Sequence, residues 1–300
     1  MALTEDQMNQ RSKSIGGSDV PAILGISPFK SAGDVFVEKT QRVEQVTNSA
    51  MEAGHKLEPA VIDWAMDRLQ IRHKSWSSAN VRRTKYLSSE GRQVPAHANL
   101  DFMFLTPKVG RCGLEAKTTS VPYGWGEQGT DEVPPHILAQ CLWQAMVAEL
   151  NIVYVGVLIA DRGFHMRMYE IDPEQYEEEC EDIVQRVVSF WNDNVMEDKE
   201  PEDTYPTIDT LNKIVRTPNK STEVKEDDVQ SWLQAKDELK LARDKEKLCR
   251  EKVLNQMKDA EEGQCSLGRM TYFEYERKGY TVEPTKYRQI KFKKKGPTHE

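Results

Sequence analysis

Between Asn48 and Gln70 the apolar residues Met51, Leu57, Val61, Ile62, Ala65 and Leu69 recur at helical spacing, which predicts an amphipathic helix with Glu58 close to its apolar face. A carboxylate there needs a partner, and a metal ion would be one. Further on, Ile152 to Ile159 is an unbroken apolar run, the pattern of a strand buried on both sides, with Phe164 to Ile171 as its antiparallel neighbour. Residues 136–149 alternate as an amphipathic helix that puts Gln140 and Gln144 one turn apart. Val81 to Thr84 and Leu100 to Leu105 read as strands, and Thr106-Pro107-Lys108-Val109-Gly110 turns the chain into a further strand over Gly113 to Thr118. Upstream, Ile15-Gly16-Gly17-Ser18-Asp19-Val20-Pro21 is a glycine turn with Ser18 or Asp19 available as the N-cap of a short helix that stops at Gly25; a second helix starts near Ser31. Asp172-Pro173 caps a long helix whose stripe is Tyr176, Cys180, Ile183, Val187 and Trp191.

The pattern changes beyond residue 192. Residues 193–222 are polar, acidic and dotted with proline, which marks a linker or an extended crossing segment. From Val224 to about Glu262, Trp232, Ala235, Leu239, Ala242, Cys249, Val253 and Gln256 follow alternating three- and four-residue steps, interrupted by Glu246. A helix of that length spans about 55 Å at roughly 1.5 Å per residue and needs a partner for its stripe. Two strands, Met270 to Tyr275 and Tyr287 to Phe292, end the chain with the lysines Lys291, Lys293, Lys294 and Lys295. Three segments result: a first domain over 1–192, a linker over 193–222, and a helical module with a basic β-like tail over 223–300.

Composition narrows the class. Among 300 residues, 38% are hydrophobic, enough for a real core. No apolar run approaches a membrane span, and Met1 to Gln7 lacks a charged-then-apolar signal, so a cytosolic protein is expected. Cys112, Cys141, Cys180, Cys249 and Cys265 are odd in number and contain no Cys-x-x-Cys pair, which argues for reduced thiols. The net charge of -8 is unevenly spread: residues 170–209 hold fifteen Asp/Glu against Arg186 and Lys199, whereas 68–92 hold seven Lys/Arg against Glu90. Basic stripes on an acidic body are compatible with a protein that admits DNA through a restricted channel, and equally with solvated faces.

The residues with the most chemistry are Asp101 and the run Glu115-Ala116-Lys117. Side chains alternate along a strand, so Glu115 and Lys117 point the same way. Two carboxylates beside a cationic lysine suit metal-assisted hydrolysis of a phosphodiester. Magnesium favours oxygen ligands; Asp101, Glu115 and Glu58 supply three, the Ala116 carbonyl a fourth, and Lys117 would orient water or stabilise developing charge. Alone, the pattern is also that of a surface ion pair.

Five further segments make it specific: Ile15-Gly16-Gly17-Ser18-Asp19-Val20 with Ile23-Leu24-Gly25-Ile26-Ser27-Pro28-Phe29-Lys30; Gly54-His55-Lys56-Leu57-Glu58-Pro59; Leu100-Asp101; Leu114-Glu115-Ala116-Lys117; and Ala139-Gln140. In this order, over about residues 11–170, they resemble the YqaJ-type viral recombinases, relatives of phage lambda exonuclease within the PD-(D/E)xK nucleases. The resemblance implies an α/β, restriction-endonuclease-like core, a mixed sheet flanked by helices, with Asp101 and Glu115 as metal ligands, Lys117 as the catalytic lysine and Glu58 as an additional carboxylate. It also implies that Ser18 and Arg11 hold a DNA 5′-phosphate, and that Gln140 supports the site. Two positions depart from the family pattern: Phe102 stands where a small residue is usual and would crowd the strand end, and the second glutamine expected two residues after Gln140 is absent, with no warrant for putting Gln144 in its place.

The implied activity is Mg²⁺-dependent (Mn²⁺ substituting) resection of double-stranded DNA ends, 5′ to 3′, leaving a 3′ single strand for an annealing protein of a phage or prophage. A ring-shaped homo-oligomer, a trimer, is implied in the same way. The alternatives are a structure-selective or restriction-type endonuclease and a DNA-end-binding scaffold without catalysis. His55 and His97 flank the proposed site, but a lone histidine near a turn is more often a packing residue. Tyr123 and Trp125 sit in a glycine-rich loop and would either stack on bases or close the site as a lid.

Overall fold

In the computed structural model the described residues are 12–41, 43–44, 48–71, 77–202 and 204–276. The chain separates into two compact units, Met1–Val215 and Arg216–Glu300. The first is built on six strands, β1 (Ile15–Gly16), β2 (Ser77–Ser89), β3 (Arg92–Thr106), β4 (Gly110–Thr119), β5 (Ile152–Ile159) and β6 (His165–Ile171), in the order β1-β3-β4-β5-β6 with β2 also paired to β3. The β1–β3 and β4–β5 pairs are parallel and the other three antiparallel. The mixed sheet flanked by helices that the sequence led us to expect is therefore present.

Helices cover the sheet with two different apolar sets. Helix α3 (Ser49–Arg68), preceded by α1 (Val20–Ile23) and α2 (Ala32–Thr40), brings Ala65 and Met66 against Phe102, Phe104, Cys112, Leu114 and Ile152. Helices α4 (Pro135–Ala148) and α5 (Glu177–Phe190) close the larger core, where Trp143, Leu142, Ile183 and Val187 meet Ala98, Leu100, Val155 and Val157. The apolar run over β5 is buried because helices lie over both of its faces. Gly156 lets α3 lie close there, since a Cβ would come 3.1 Å from Val61 Cγ1 of α3.

Strand β3 organises everything else. It pairs with β2 along nearly its whole length, but its other edge is shared. That edge meets β4 from Phe102↔Leu114 to Thr106↔Gly110, then meets β1 at Ala96↔Ile15 and His97↔Gly16. Residues 98–101 have no ladder partner on that edge among the described residues. Ala98 and Leu100 join the core under α4 whereas Phe102 and Phe104 join the one under α3, although all four are even-numbered. Strict alternation would put them on one face, so β3 rotates about its axis at Asp101.

Several sequence readings are revised. The strand read over 81–84 is part of a thirteen-residue β2 joined to β3 by a hairpin whose turn residues Glu90 and Gly91 both have positive φ, 51° and 76°. That is the backbone of a type I′ turn, which Asn-Gly would have announced and Glu-Gly did not. Asp19 occupies the N-cap position of α1 but makes no cap; its Oδ2 accepts instead from Gly16 N at 3.0 Å. Asp172 accepts from Glu174 N and opens a 3₁₀ turn, Pro173–Tyr176, ahead of α5.

Past residue 193 the chain stays on the first unit. Ser31 and Asp34 form a capping box at α2, and the second oxygen of Asp34 accepts from Thr207 N at 2.6 Å, just before α6 (Ile208–Lys213). Gly33 allows that approach, because a Cβ there would lie 2.8 Å from Pro206 N. The second unit holds α7 (Glu226–Met257), none of whose residues is buried, and a hairpin of β7 (Glu262–Cys265) and β8 (Gly268–Thr271). The strand read from Met270 thus begins earlier and pairs with Glu262–Cys265. Tyr287 to Phe292 and the terminal lysines lie outside the described residues.

Candidate active site

The gap in the β3 edge is where the charged residues gather. At Asp101 the ladder to β4 has ended, and the Asp101 carboxylate takes over as acceptor: Ala116 N donates to its Oδ2 at 2.8 Å. Glu115, on the face toward α4, is 5% exposed and engaged on both oxygens. Its Oε1 accepts from Lys117 Nζ at 2.6 Å and from Gln140 Nε2 at 2.6 Å, and its Oε2 accepts from Gln144 Nε2 at 2.7 Å. Lys117 Nζ also donates to Gln140 Oε1 at 3.1 Å. Gln144 Nε2 reaches Asn99 O at 3.1 Å as well, binding α4 to the stretch of β3 that has lost its partner on the β4 edge. With two acceptors on its nitrogen the Gln144 amide is oriented, and its buried Oε1 is left without a partner.

Negative charge exceeds positive charge here. Burial first, then the neighbouring Glu115 and more weakly Glu58, push the Asp101 carboxyl up to about 8, against the Ala116 hydrogen bond and Lys117, which favour its charged form. Burial works against the Lys117 ammonium, but the Glu115 charge and hydrogen bond, with Asp101 behind them, raise its pKa. Lys117 is therefore firmly cationic. A buried Asp101 carboxyl held toward protonation by its carboxylate neighbours belongs to a donor set suited to a divalent cation, which would relieve the repulsion. Asp101, Glu115 and Glu58 could hold it; among the described residues no three His, Cys, Asp or Glu side chains already converge as a closed cluster. The fit is therefore one of donor chemistry.

The remaining sequence candidates divide. Glu58 lies on α3 with a partly exposed side chain and acts on Asp101 through charge, and His55 Nδ1 stands 3.8 Å from its Oε2. Ala116 lies between Asp101 and β5, paired with Gly156. Ser18 is exposed on the turn after β1, next to Gly17, where a Cβ would come 3.3 Å from Gln140 Cγ. Arg11 lies outside the described residues. Phe102 does not crowd the strand end: its ring is buried under α3, 6.2 Å from that of Phe104, because β3 has rotated. His97 is a packing residue, 2.8 Å from Ser14 Oγ and so close to Gly16 that a Cβ would lie 2.5 Å from its Nε2. Trp125 packs on Tyr169 at 5.4 Å, leaving Tyr123 as the exposed aromatic of its loop.

Two residues escaped the sequence reading. Gln144 was set aside although it lies one helical turn from Gln140, and the structure puts it on Glu115. His136 lies one turn before Gln140 at the start of α4, and burial followed by the Lys117 charge lowers its pKa. The four-residue spacing of 136, 140 and 144 was the available signal.

Residues 6–151 match the model of the YqaJ-like viral recombinase domain. The uncharacterized protein YqaJ of Bacillus subtilis (strain 168) is 28% identical over 268 residues, covering 86% of this chain and 80% of its own length. Among solved structures, an exonuclease described as putative from Eubacterium rectale overlaps with a TM-score of 0.46 at 10% identity, covering 73% of this chain and 97% of its own. The alkaline exonuclease of Laribacter hongkongensis overlaps with a TM-score of 0.42 at 14% identity, covering 65% of this chain and 95% of its own. Among the described residues no helix is long and apolar enough to cross a membrane. The matched stretch, residue 6 to residue 151, carries Asp101, Glu115, Lys117 and Gln140.

Proposed function

We propose that this protein is a divalent-cation-dependent deoxyribonuclease that resects duplex DNA from its ends, 5′ to 3′. The observation that carries the reading is the meeting of Asp101, Glu115 and Lys117 in the β3 gap, with both oxygens of Glu115 held by α4. Asp101, Glu115, Glu58 and the Ala116 carbonyl would hold Mg²⁺ or Mn²⁺, which would supply water activation and charge neutralisation at the scissile phosphate. Glu115 keeps Lys117 cationic and aimed, so that its N–H groups meet charge developing on the phosphate oxygens. Gln140 and Gln144 fix the Glu115 carboxylate, and the Ala116 N–H fixes that of Asp101, so little reorganisation is needed when substrate arrives.

Polarity rests on Ser18, exposed on the turn that lies along Gln140, acting with Arg11 as the anchor of a 5′-phosphate. The product is a 3′ single strand, the substrate of a single-strand annealing protein, and the setting is the cytoplasm of a bacterium carrying a phage or prophage. An assembly that encircles the duplex, a trimer, fits a processive role. One assay tests the whole: linear and covalently closed duplexes, with 5′-phosphate or 5′-hydroxyl ends, are incubated in Mg²⁺ and in EDTA. Digestion of linear, 5′-phosphorylated duplex in Mg²⁺ alone is expected. Cutting of closed circles would establish an endonuclease, and no cleavage at all would leave an end-binding scaffold.

A further inference from the structure

An exposed aromatic ring stands beside the site and none of the chemistry above uses it. Phe29 is 78% exposed, yet its backbone is well fixed: Ser27 Oγ accepts from both Phe29 N and Lys30 N at 3.2 Å, and Lys30 Nζ is paired with Glu38 of α2 at 2.7 Å. Ile26 N and Ser27 N both donate to Pro21 O, closing the turn from α1. The ring therefore does not anchor the loop in the core. It meets His136 edge to face, with centroids 6.1 Å apart and planes at 82°. His136 is the first member of the α4 stripe that continues to Gln140 and Gln144, and it feels the charge of Lys117. A short chain of contacts thus links the catalytic lysine, through the helix that positions Glu115, to a rigid and solvent-facing aromatic face. Holding an apolar ring in water costs hydrophobic free energy that a ligand can recover.

We propose that Phe29, braced by His136, is a stacking platform for a nucleobase of the DNA end, placed next to the nucleotide whose phosphate is cut. This rests on the deoxyribonuclease reading above and adds the subsite that reading lacks. Every base offers a π-face, so a stacking contact grips any sequence, as resection along arbitrary DNA demands. His136 braces the exposed Phe29 ring in the edge-to-face geometry that aromatic pairs favour.

The test uses the full chain and duplexes carrying 2-aminopurine at the 5′-terminal position, titrated in EDTA for affinity and assayed in Mg²⁺ for KM and kcat. Base–aromatic stacking is worth about 1–3 kcal/mol per base, so Phe29→Ala should weaken affinity and raise KM by about 5- to 150-fold. Phe29→Leu should fall with Phe29→Ala, whereas Phe29→Trp should hold affinity and show indole fluorescence quenched by the DNA end. His136→Ala should act in the same direction, and the double variant should lose less than the two single losses combined. Tyr86→Ala, at another exposed ring, on β2 and paired with Pro95, should leave KM as it is. Wild-type affinity and KM in Phe29→Leu, or an unchanged KM in Phe29→Ala while the parent protein cleaves, would overturn the platform and leave the nuclease reading standing. If the parent binds ends but never cleaves, the nuclease reading fails, and loss of 2-aminopurine affinity in Phe29→Ala would still support the platform.

Discussion

Among the described residues of the first unit, one buried and one partly buried lysine–carboxylate pair are built on opposite principles. Lys39 Nζ meets Asp19 Oδ2 at 2.7 Å, with the side chains only 3% and 8% exposed. One acid faces one base, Gly16 N donates a further bond, and Lys30 adds positive charge from farther off. Burial alone would raise the Asp19 pKa, but these partners outweigh it and hold the carboxyl well below the usual range. Lys117 meets Glu115 at 2.6 Å, as closely. Here, however, Asp101 and Glu58 add charge of the same sign as Glu115, and the Asp101 carboxyl is driven up to about 8. The first pair is complete and pins the glycine turn to α2. The second is short of positive charge, and that shortage is what a cation or a proton answers.

Removing each lysine should separate the two roles. Lys117→Ala is expected to lower kcat by about 10³-fold, on the scale of losing a proton-transfer or charge-stabilising group, with an unchanged melting temperature. Lys39→Met should do the converse. Breaking one side of a buried ion pair costs about 3–5 kcal/mol, because Asp19 is left charged and unpaired, and calorimetry should show a melting temperature lower by about 10 °C. If Lys117→Ala melted early and turned over normally, the contrast between the pairs would collapse.

The pH responses should also run in opposite directions. Asp101 has a folded pKa above its unfolded value near 3.8, so its stabilising contribution is full at low pH and is lost as pH rises through about 8. Metal-free protein should therefore lose thermal stability between about pH 4 and 8, and Asp101→Asn should flatten that slope. Mg²⁺ must displace the proton, so its affinity should rise toward pH 8, with proton release seen by titration calorimetry in buffers of different ionisation enthalpy. Asp19 has a depressed folded pKa, so its contribution is full above the unfolded value and lost as pH falls through the acid range. Stability that rose monotonically from pH 4 to 8 without metal would contradict the crowding of carboxylates at Asp101.

Much of this was legible in the chain, and where it was not the reason is physical. Helices α3 and α4 and strand β5 show in periodicity because each buries one continuous stripe or run, and Glu115 with Lys117 shows because strand alternation is local. The rotation of β3 at Asp101 is not local. It depends on β3 giving up β4 for β1, a strand some eighty residues earlier in the chain, and so the burial of Phe102 ran against a reading from Phe102's neighbours alone. The bare capping role of Asp19 failed for a similar reason: Lys39, twenty residues on, competes for its oxygen. His136 was visible as the start of a four-residue ladder but carried no meaning until Lys117 and Phe29 stood beside it.

The smallest effect probes how the excess charge is kept in place. Gln144 holds Glu115 Oε2 and the Asn99 carbonyl together, so the side chain ties the Glu115 carboxylate to the stretch of β3 that pairs with β2 alone. Gln144→Leu keeps the volume and frees Oε2, and groups that orient metal-binding carboxylates typically change affinity or activity by 10- to 100-fold when lost. The effect here should sit near the lower end, about 10-fold, because Gln140 and Lys117 still hold Oε1. It should appear mainly in the Mg²⁺ concentration needed for half-maximal rate, with kcat at saturating Mg²⁺ recovered within about 3-fold. Replacing Gln140 in the same way removes a bond shared with Lys117, so it should lower kcat even at saturating Mg²⁺. If the two glutamine variants behaved alike, the α4 ladder would act as one support for Glu115 and not as separate holds on the two oxygens.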